Sequence, residues 1–215
     1  MRIDNLQARL CRGLAGAVAV ALTMMGAQAL AQGAPTPPSQ ARDLAIGVCG
    51  TCHGVDGNST NPMFPRLAGQ HAWYIEQQLK EFRDHKRGDP YAVGYMYGMA
   101  SQLSNATIDA LAKYFSHQKT GPGKPHPAAE VAAGDKIFHH GIPSQGVPAC
   151  AACHGPQGLG SKQFPRLAGQ HAKYIMKQLQ SFQSNMQQVA IMHGVATTLH
   201  APQMQTVADY LASLP

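Results

Sequence analysis

The 215-residue chain is poor in charged and aromatic side chains, which make up 13% and 7% of it. It contains no run of lysine or arginine interleaved with aromatics, so nothing in it favours nucleic-acid binding. No acid–base pair stands out as a catalyst. With so few aromatics, a small domain of this chain buries little on its own. We therefore expect a bound group to complete the core, and the protein without that group to be largely unstructured or molten.

Long apolar runs are scarce, and the one candidate lies near the N-terminus. Leu14 to Leu30 is apolar and follows a start that contains three arginines. Ala29-Leu30-Ala31 fits the rule for signal-peptide cleavage, so residues 1–31 are predicted to be a secretory signal peptide. A cut after Ala29 and an uncleaved anchor are the alternatives, and the short apolar run disfavours the anchor. We expect a periplasmic mature chain with no integral membrane span, and peripheral membrane association stays open.

Cysteine is also scarce, and its placement is informative. Cys11 lies in the predicted signal peptide, so four of the five cysteines remain and none is left over for a structural disulfide. The four form two pentapeptides, Cys49-Gly50-Thr51-Cys52-His53 and Cys150-Ala151-Ala152-Cys153-His154. This pattern is typical of covalent haem c attachment, in which both thiols bind the haem and the histidine binds its iron.

Two other uses of cysteine pairs fit the sequence poorly. A zinc ribbon needs its two pairs about 15–20 residues apart, and a thioredoxin-type redox pair needs a βαβ context. The sequence therefore predicts two covalent haem c groups on Cys49, Cys52, Cys150 and Cys153. His53 and His154 are then the proximal iron ligands.

The basic character of the chain is modest once the leader is removed. Cleavage takes away Arg2, Arg9, Arg12 and Asp4, which leaves 14 basic and 10 acidic residues, a formal charge of +4. Four haem propionates would largely cancel that charge. The overall pI of 9.2 is therefore no sign of a nucleic-acid partner.

An internal repeat organises the chain. Phe64 to Ala72 recurs without change as Phe164 to Ala172, which indicates two copies of one small domain. A segment rich in proline and glycine separates the copies and is predicted to be a linker or extended connection. The predicted parts are a Pro-rich N-terminal segment at 32–38, domain one at 39–118, the linker at 119–127 and domain two at 128–215.

The fold class is predicted to be all-α, with each domain wrapped around one haem. Apolar residues at helical spacing mark most of the helices, and no strand pattern competes with them. Ser104 or Asn105 can cap the helix that closes the first domain. The predicted helices are Ala41 to Val48, Ala72 to Arg83, Ile108 to Phe115, Ala129 to Phe138, Ala172 to Phe182 and Val207 to Leu211.

The repeat also selects candidates for the sixth iron ligand. A methionine thioether in that position favours reduced iron and raises the potential. Because Gly98 matches Gly194, Met96 matches Met192, whereas Met99 faces a valine. We therefore predict Met96 and Met192 as the axial pair, with Met99 as the fallback in the first domain.

Other residues of the repeat are candidates for supporting roles. The carbonyls of Pro65 and Pro165 are predicted to accept a hydrogen bond from the proximal histidines, the alternative being prolines that only stiffen a loop. The arginines at 66 and 166 could pair with propionates, or be solvated. Weaker candidates of the same kind are Gln70, Gln170, Tyr74 and Tyr174. The remaining histidines, including His71 and His171, are expected at the surface or in the linker.

The sequence resembles the dihaem cytochrome c4 family, which has two class I-like cytochrome c domains in one periplasmic chain. The matching features are both Cys-x-x-Cys-His sites, both Phe-Pro-Arg-Leu-Ala-Gly-Gln segments, the Met96–Met192 pair and the Tyr-Phe and Tyr-Leu closing helices. The resemblance implies His/Met ligation, haems that face each other across the domain interface, and electron delivery to a terminal oxidase. Domain one departs from domain two by about four extra residues near His85 to Tyr95, of undetermined role.

The favoured function is electron transfer from a quinol-oxidising complex or a dehydrogenase to a terminal oxidase, without substrate chemistry of its own. One alternative is a haem subunit of a flavoprotein sulfide dehydrogenase. A dihaem peroxidase is the other alternative. A peroxidase needs an open iron site, and the matched methionines and the short chain argue against it.

Overall fold

A computed structural model describes residues 36–215 of the chain. The predicted signal peptide and residues 32–35 lie outside the described residues. Within 36–215, the chain forms ten α-helices, two π-helical turns and one 3-10 turn, and its only β-structure is two isolated bridges. The all-α prediction is therefore confirmed for this part of the chain. No helix in the described range combines the length and apolarity needed to cross a membrane.

The π-helical turns span Ala45–Cys49 and Ala92–Met96, and the 3-10 turn spans Pro143–Gln145. The α-helices in chain order are α1 Pro38–Leu44, α2 Gly50–His53, α3 Ala72–Arg83, α4 Tyr97–Ala100, α5 Asn105–Ser116, α6 Ala128–His140, α7 Ala151–His154, α8 Ala172–Gln183, α9 Ala190–Thr197 and α10 Ala201–Ser213.

Most predicted helices are present, and their ends show which local signals set them. Helix α3 has the predicted bounds. Helix α5 begins one turn earlier than predicted because the Ser104 hydroxyl accepts a hydrogen bond from Thr107 N at 3.1 Å, as expected of an N-cap. Helix α1 begins at Pro38, inside the segment assigned to the Pro-rich N-terminus, since proline is preset for the first helical position.

Helix α9 and the 92–96 turn were not predicted. Both lie in the stretch that carries the candidate methionines, where apolar residues and glycines alternate without a helical period. Because such a stretch has no polar face, periodicity gives no signal there. Contacts with the rest of the fold, rather than local pattern, define these two elements.

Each repeat has its own buried apolar cluster. In the first, helix α3 packs on α5, and the buried residues are Ala45, Ile75, Leu111, Ala112 and Phe115. In the second, α6 and α8 pack on α10, and the buried residues are Phe138, Val147, Ile175, Leu179, Leu199, Met204, Val207, Ala208, Tyr210 and Leu211.

The two repeats share an interface inside one compact unit that spans residues 37–215. At its centre the Gln70 amide bonds both the N–H and the carbonyl of Arg166, each at 2.9 Å. The Gln170 amide bonds the N–H and the carbonyl of Arg66 in the same way, again at 2.9 Å. This reciprocal pattern makes the contact approximately two-fold symmetric.

The connecting segment 119–127 has no helix and is fastened to both repeats. The Asn58 side chain donates to Lys119 O at 2.9 Å and accepts from Gly121 N at 2.7 Å. Further on, Lys124 N donates to Ala212 O at 2.8 Å. The segment is an extended connection that hydrogen bonds tie to both repeats.

Candidate haem-binding sites

The first Cys-x-x-Cys-His motif ends a run of helical structure. Helix α1, the π turn and α2 follow one another without a break, and Gly54, with a φ of 80°, ends the run. In a helix, positions i, i+3 and i+4 share one face. Cys49, Cys52 and His53 have that spacing, so both thiols and the imidazole lie on one side of the chain.

The second motif repeats this arrangement in α7. Cys150, Cys153 and His154 have the same spacing, and Gly155, with a φ of 78°, follows the histidine. None of the four motif cysteines in the described residues forms a disulfide. Each repeat therefore offers two thiols and one imidazole on a single helical turn, which is the donor set that haem c requires.

Both motif histidines are fixed by a proline carbonyl. The Nδ1 atom of His53 lies 2.9 Å from Pro65 O, and that of His154 lies 3.0 Å from Pro165 O. The predicted acceptor role of the two prolines is confirmed. Since Nδ1–H donates to the carbonyl, Nε2 keeps its lone pair and is the nitrogen suited to bind iron.

Burial sets the protonation states of these groups. Desolvation lowers the pKa of His53 and of His154, although the hydrogen bonds to the proline carbonyls partly offset this effect. Both imidazoles are therefore neutral near pH 7, as a metal ligand must be. Desolvation raises the pKa of Cys49, and raises that of Cys150 to about 11. Before a haem is attached, these cysteines are therefore protonated thiols, unlike the reactive thiolates of a redox pair.

The candidate axial methionines lie in the elements that sequence pattern did not predict. Met96 is the last residue of the π turn Ala92–Met96. Met192 lies in α9 and packs, half-buried, on the same apolar cluster as Cys150. Met99 is 47% exposed in α4. The assignment of Met96 and Met192 as ligands stays a prediction.

Aromatic rings link the proximal side of the first site to the methionine segment. The Phe64 ring lies 6.1 Å from the His53 ring and 5.6 Å from the ring of Tyr95, the neighbour of Met96. Phe164 lies 5.8 Å from the His154 ring in the second site. The repeated Phe-Pro-Arg segment therefore packs beside each motif histidine and supplies the carbonyl that orients it.

The propionate partners proposed from sequence have other contacts. Arg66 Nη1 donates to Pro122 O at 2.7 Å and to Gly169 O at 3.0 Å, and Arg166 Nη2 donates to Pro215 O at 2.6 Å. The amide groups of the two glutamines are occupied by the interface backbone. Arg66 Nε, in contrast, is buried without a partner, so it remains a candidate donor to a propionate. Burial raises the pKa of Tyr74 and of Tyr174, so both keep their phenolic proton.

The expectation that His171 lies at the surface or in the linker is wrong. Instead of lying at the surface, it is 3% exposed, and its Nε2 lies 2.9 Å from both the hydroxyl and the carbonyl oxygen of Ser59 in the other repeat. His71 reaches the opposite way, with Nε2 3.0 Å from Leu159 O. The only sequence signal was that these two histidines, unlike most others, occupy identical positions in the repeat.

The segment of the first repeat near His85 to Tyr95, which includes the extra residues, contains a buried ion pair. Arg87 and Asp89 are 2% and 4% exposed, and the guanidinium donates to Asp89 Oδ2 at 2.9 and 2.7 Å. The same guanidinium lies 3.3 Å from Gln178 Oε1, and Gly88 N donates to Met186 O at 2.7 Å. The segment therefore contacts the second repeat.

Comparison with known proteins agrees with this site. A family model described as cytochrome c matches residues 40–119 and 131–215. Cytochrome c4 of Stutzerimonas stutzeri is 41% identical over 79% of this chain and 85% of its own. A protein of Thiomonas intermedia named thiosulfate dehydrogenase electron acceptor is 38% identical over 85% of this chain and 82% of its own.

Solved structures show the same similarity. The cytochrome c4 structure of Acidithiobacillus ferrooxidans aligns with a TM-score of 0.74 at 42% identity, over 77% of this chain and 98% of that one. The structure of thiosulfate dehydrogenase (TsdBA) from Marichromatium purpuratum aligns with a TM-score of 0.75 at 31% identity, over 83% of this chain but 40% of that one.

The fold and the two motif helices define a c-type cytochrome, an electron carrier that binds two covalently attached haem c groups. Within that class, the chain belongs to the dihaem cytochrome c4 family.

Proposed function

We propose that this protein is a periplasmic carrier that takes electrons from a dehydrogenase or a quinol-oxidising complex and passes them to a terminal oxidase. The observation that carries the proposal is the duplicated donor set, Cys-x-x-Cys-His with its proline-held histidine, within one compact unit. The secretory signal peptide predicted at 1–31 and the similarity to cytochromes c4 support the periplasmic location.

The proposal assigns each site residue a role. Cys49, Cys52, Cys150 and Cys153 bind the haems covalently, and the neutral imidazoles of His53 and His154 bind iron through Nε2. The haem supplies the reversible one-electron chemistry. The prolines at 65 and 165 keep each imidazole in one orientation, and burial of both histidines excludes water from the proximal side. Met96 and Met192 complete the axial pairs.

A dehydrogenase as donor has specific support. One relative is named an electron acceptor of thiosulfate dehydrogenase, and a chain named thiosulfate dehydrogenase contains a region that aligns with this protein at 31% identity. The second candidate function, a haem subunit held permanently by a dehydrogenase such as a flavoprotein sulfide dehydrogenase, draws on the same likeness. Purification distinguishes them, since a free carrier elutes alone and a subunit elutes with its enzyme.

Replacing each methionine tests the axial ligands. Met96→His and Met192→His should each lower the potential of one haem and remove its share of the near-infrared methionine–iron band, because histidine stabilises oxidised iron. Met99→Leu is the matched control and should leave band and potentials unchanged. If Met96→His keeps the full band and Met99→Leu loses half of it, Met99 is the ligand.

Rapid-mixing kinetics test the carrier function. The purified dihaem protein should be reduced by a thiosulfate or sulfide dehydrogenase or by a quinol-oxidising complex, and reoxidised by membranes that contain a terminal oxidase. Peroxide added to the reduced protein should turn over slowly, since both irons are expected to be six-coordinate. Fast peroxide turnover, with no electron exchange with any donor, would contradict the proposal and favour a peroxidase.

A further inference from the structure

A group of metal-binding side chains lies outside both haem sites, where the linker meets the second repeat. His126 is the penultimate residue of the linker, Glu130 lies in the first turn of α6, and Asp209 lies in α10. One ligand atom from each of the three falls within 4.8 Å of the other two. We infer that these three side chains form a binding site for one divalent transition-metal ion of the Zn²⁺ type.

The spacing of the first two groups suits coordination better than hydrogen bonding. His126 Nδ1 lies 3.4 Å from Asp209 Oδ1, whereas N–H···O bonds cluster at about 2.9–3.0 Å. Two ligands at about 2.0–2.1 Å from a tetrahedral zinc ion stand about 3.3 Å apart. The pair is therefore already separated as two zinc ligands are.

The charge balance of the site also favours a cation. Asp209 is 8% exposed, and among residues 36–215 its one ion-pair partner is His126, which carries a charge only when it is protonated. Gln205 Nε2 donates to Asp209 Oδ1 at 2.8 Å, which fixes the carboxylate as outer-shell groups fix metal ligands. A divalent ion would compensate the buried charge of Asp209 and the exposed charge of Glu130.

The ligands are held in place before any ion binds. The bond from Lys124 N to Ala212 O fixes the linker against the end of α10. Glu130 N bonds Pro127 O at 3.0 Å, which holds the first turn of α6 beside His126. Because Glu130 is exposed, an ion has a route from solvent and room for a water as fourth ligand. One imidazole and two carboxylates form a donor set suited to zinc.

Bound zinc would join the linker to α6 and α10, two of the helices that build the second core. The ion would connect 119–127 with α6 and α10, and so restrain the segment between the two haem domains. This role is independent of the haem ligands and of the partners of the carrier. The site can therefore be tested whether or not the proposed electron path is right.

Calorimetric titration of the EDTA-treated, full-length dihaem protein with Zn²⁺ tests the inference. We expect one saturable site per chain, with His126→Ala and Glu130→Gln each weakening the affinity at least tenfold. His117→Ala, which removes an exposed histidine of the first repeat, is the matched control and should change nothing. Zinc should also slow hydrogen exchange of the Lys124 amide. An ion bound elsewhere on the protein would leave that exchange rate unchanged.

The zinc absorption edge gives a second measurement that haem iron does not obscure. The first shell should contain only nitrogen and oxygen, with one imidazole. Zinc binding that is equally tight in His126→Ala, or no saturable binding up to millimolar zinc, would overturn the site. Because both test variants replace partly or fully exposed residues, a loss of affinity with unchanged visible spectra reports the site and not misfolding.

Discussion

At the scale of single residues, the surroundings of the buried His171 set its protonation state. His171 lies at the start of α8, where its ring contacts Ser59 of the other repeat. Desolvation is the main cause that lowers its pKa, and the charges of Arg66 and Lys124 lower it further. The neutral imidazole is therefore the form that fits the interface.

This residue gives the protein a predictable pH dependence. A histidine whose pKa is lowered by folding contributes its full stability above about pH 6.5, its unfolded value, and loses it as the pH falls below that value. His171→Gln should therefore flatten the decline in unfolding temperature as the pH falls below about 6.5. His117→Gln, at an exposed position, should not. An unchanged slope in His171→Gln would show that the contact does not titrate.

At the scale of elements, the extra segment of the first repeat acts as a connector. Fourteen positions separate Phe82 from Met96, against ten between Phe182 and Met192. In the longer segment Arg87 lies against the second repeat, and Asp89 Oδ1 accepts from Ala92 N at 3.1 Å at the start of the π turn. Tyr97, which follows Met96, donates its hydroxyl proton to Arg87 O. The domain contact and the methionine segment are therefore joined.

Two matched substitutions measure the buried pair. Asp89→Asn leaves the Arg87 charge buried without its partner, which should cost about 3 kcal/mol in the free energy of unfolding. Asp84→Asn breaks the Arg83–Asp84 pair, in which Asp84 is 39% exposed, and should cost less than about 1 kcal/mol. Denaturant unfolding of both variants checks the contrast. Equal, small costs would mean that water reaches the Arg87 guanidinium.

At the scale of the whole molecule, the interface is held by backbone groups as much as by side chains. The side-chain amides of Gln70 and Gln170 each bond the backbone N–H and C=O of one arginine in the opposite repeat. Beside them, the guanidinium of Arg66 donates a hydrogen bond to a carbonyl of the linker, and that of Arg166 donates one to the carbonyl of Pro215. The two-fold pattern follows from the identical repeat sequence. Each copy contributes a glutamine side chain that bonds the other copy and an arginine backbone that the other copy bonds.

Hydrogen exchange can test this reciprocity one peptide at a time. Gln70→Ala removes the acceptor of Arg166 N, so exchange of that amide should accelerate while that of the Arg66 amide stays slow. Gln170→Ala should give the mirror result. Each substitution should also cost about 2 kcal/mol, because buried peptide groups lose their partners. If Arg166 N stays protected in Gln70→Ala, the interface has another means of satisfying it.

The cofactor, the all-helical class and the orientation of the proximal histidines were all predictable from the sequence. Covalent attachment depends on local spacing, and Cys49 to His53 carries that spacing within one helical turn. Tertiary structure alone decided the burial of His171, the placement of Arg87 against the second repeat and the meeting of His126 with Asp209. Those features join residues about 80 to 110 positions apart, and no local periodicity encodes such contacts. The contacts of His171 and Arg87 arise when two copies of a small domain, each with little core of its own, bury polar side chains against each other, and the contact of His126 arises where the linker packs on the second copy.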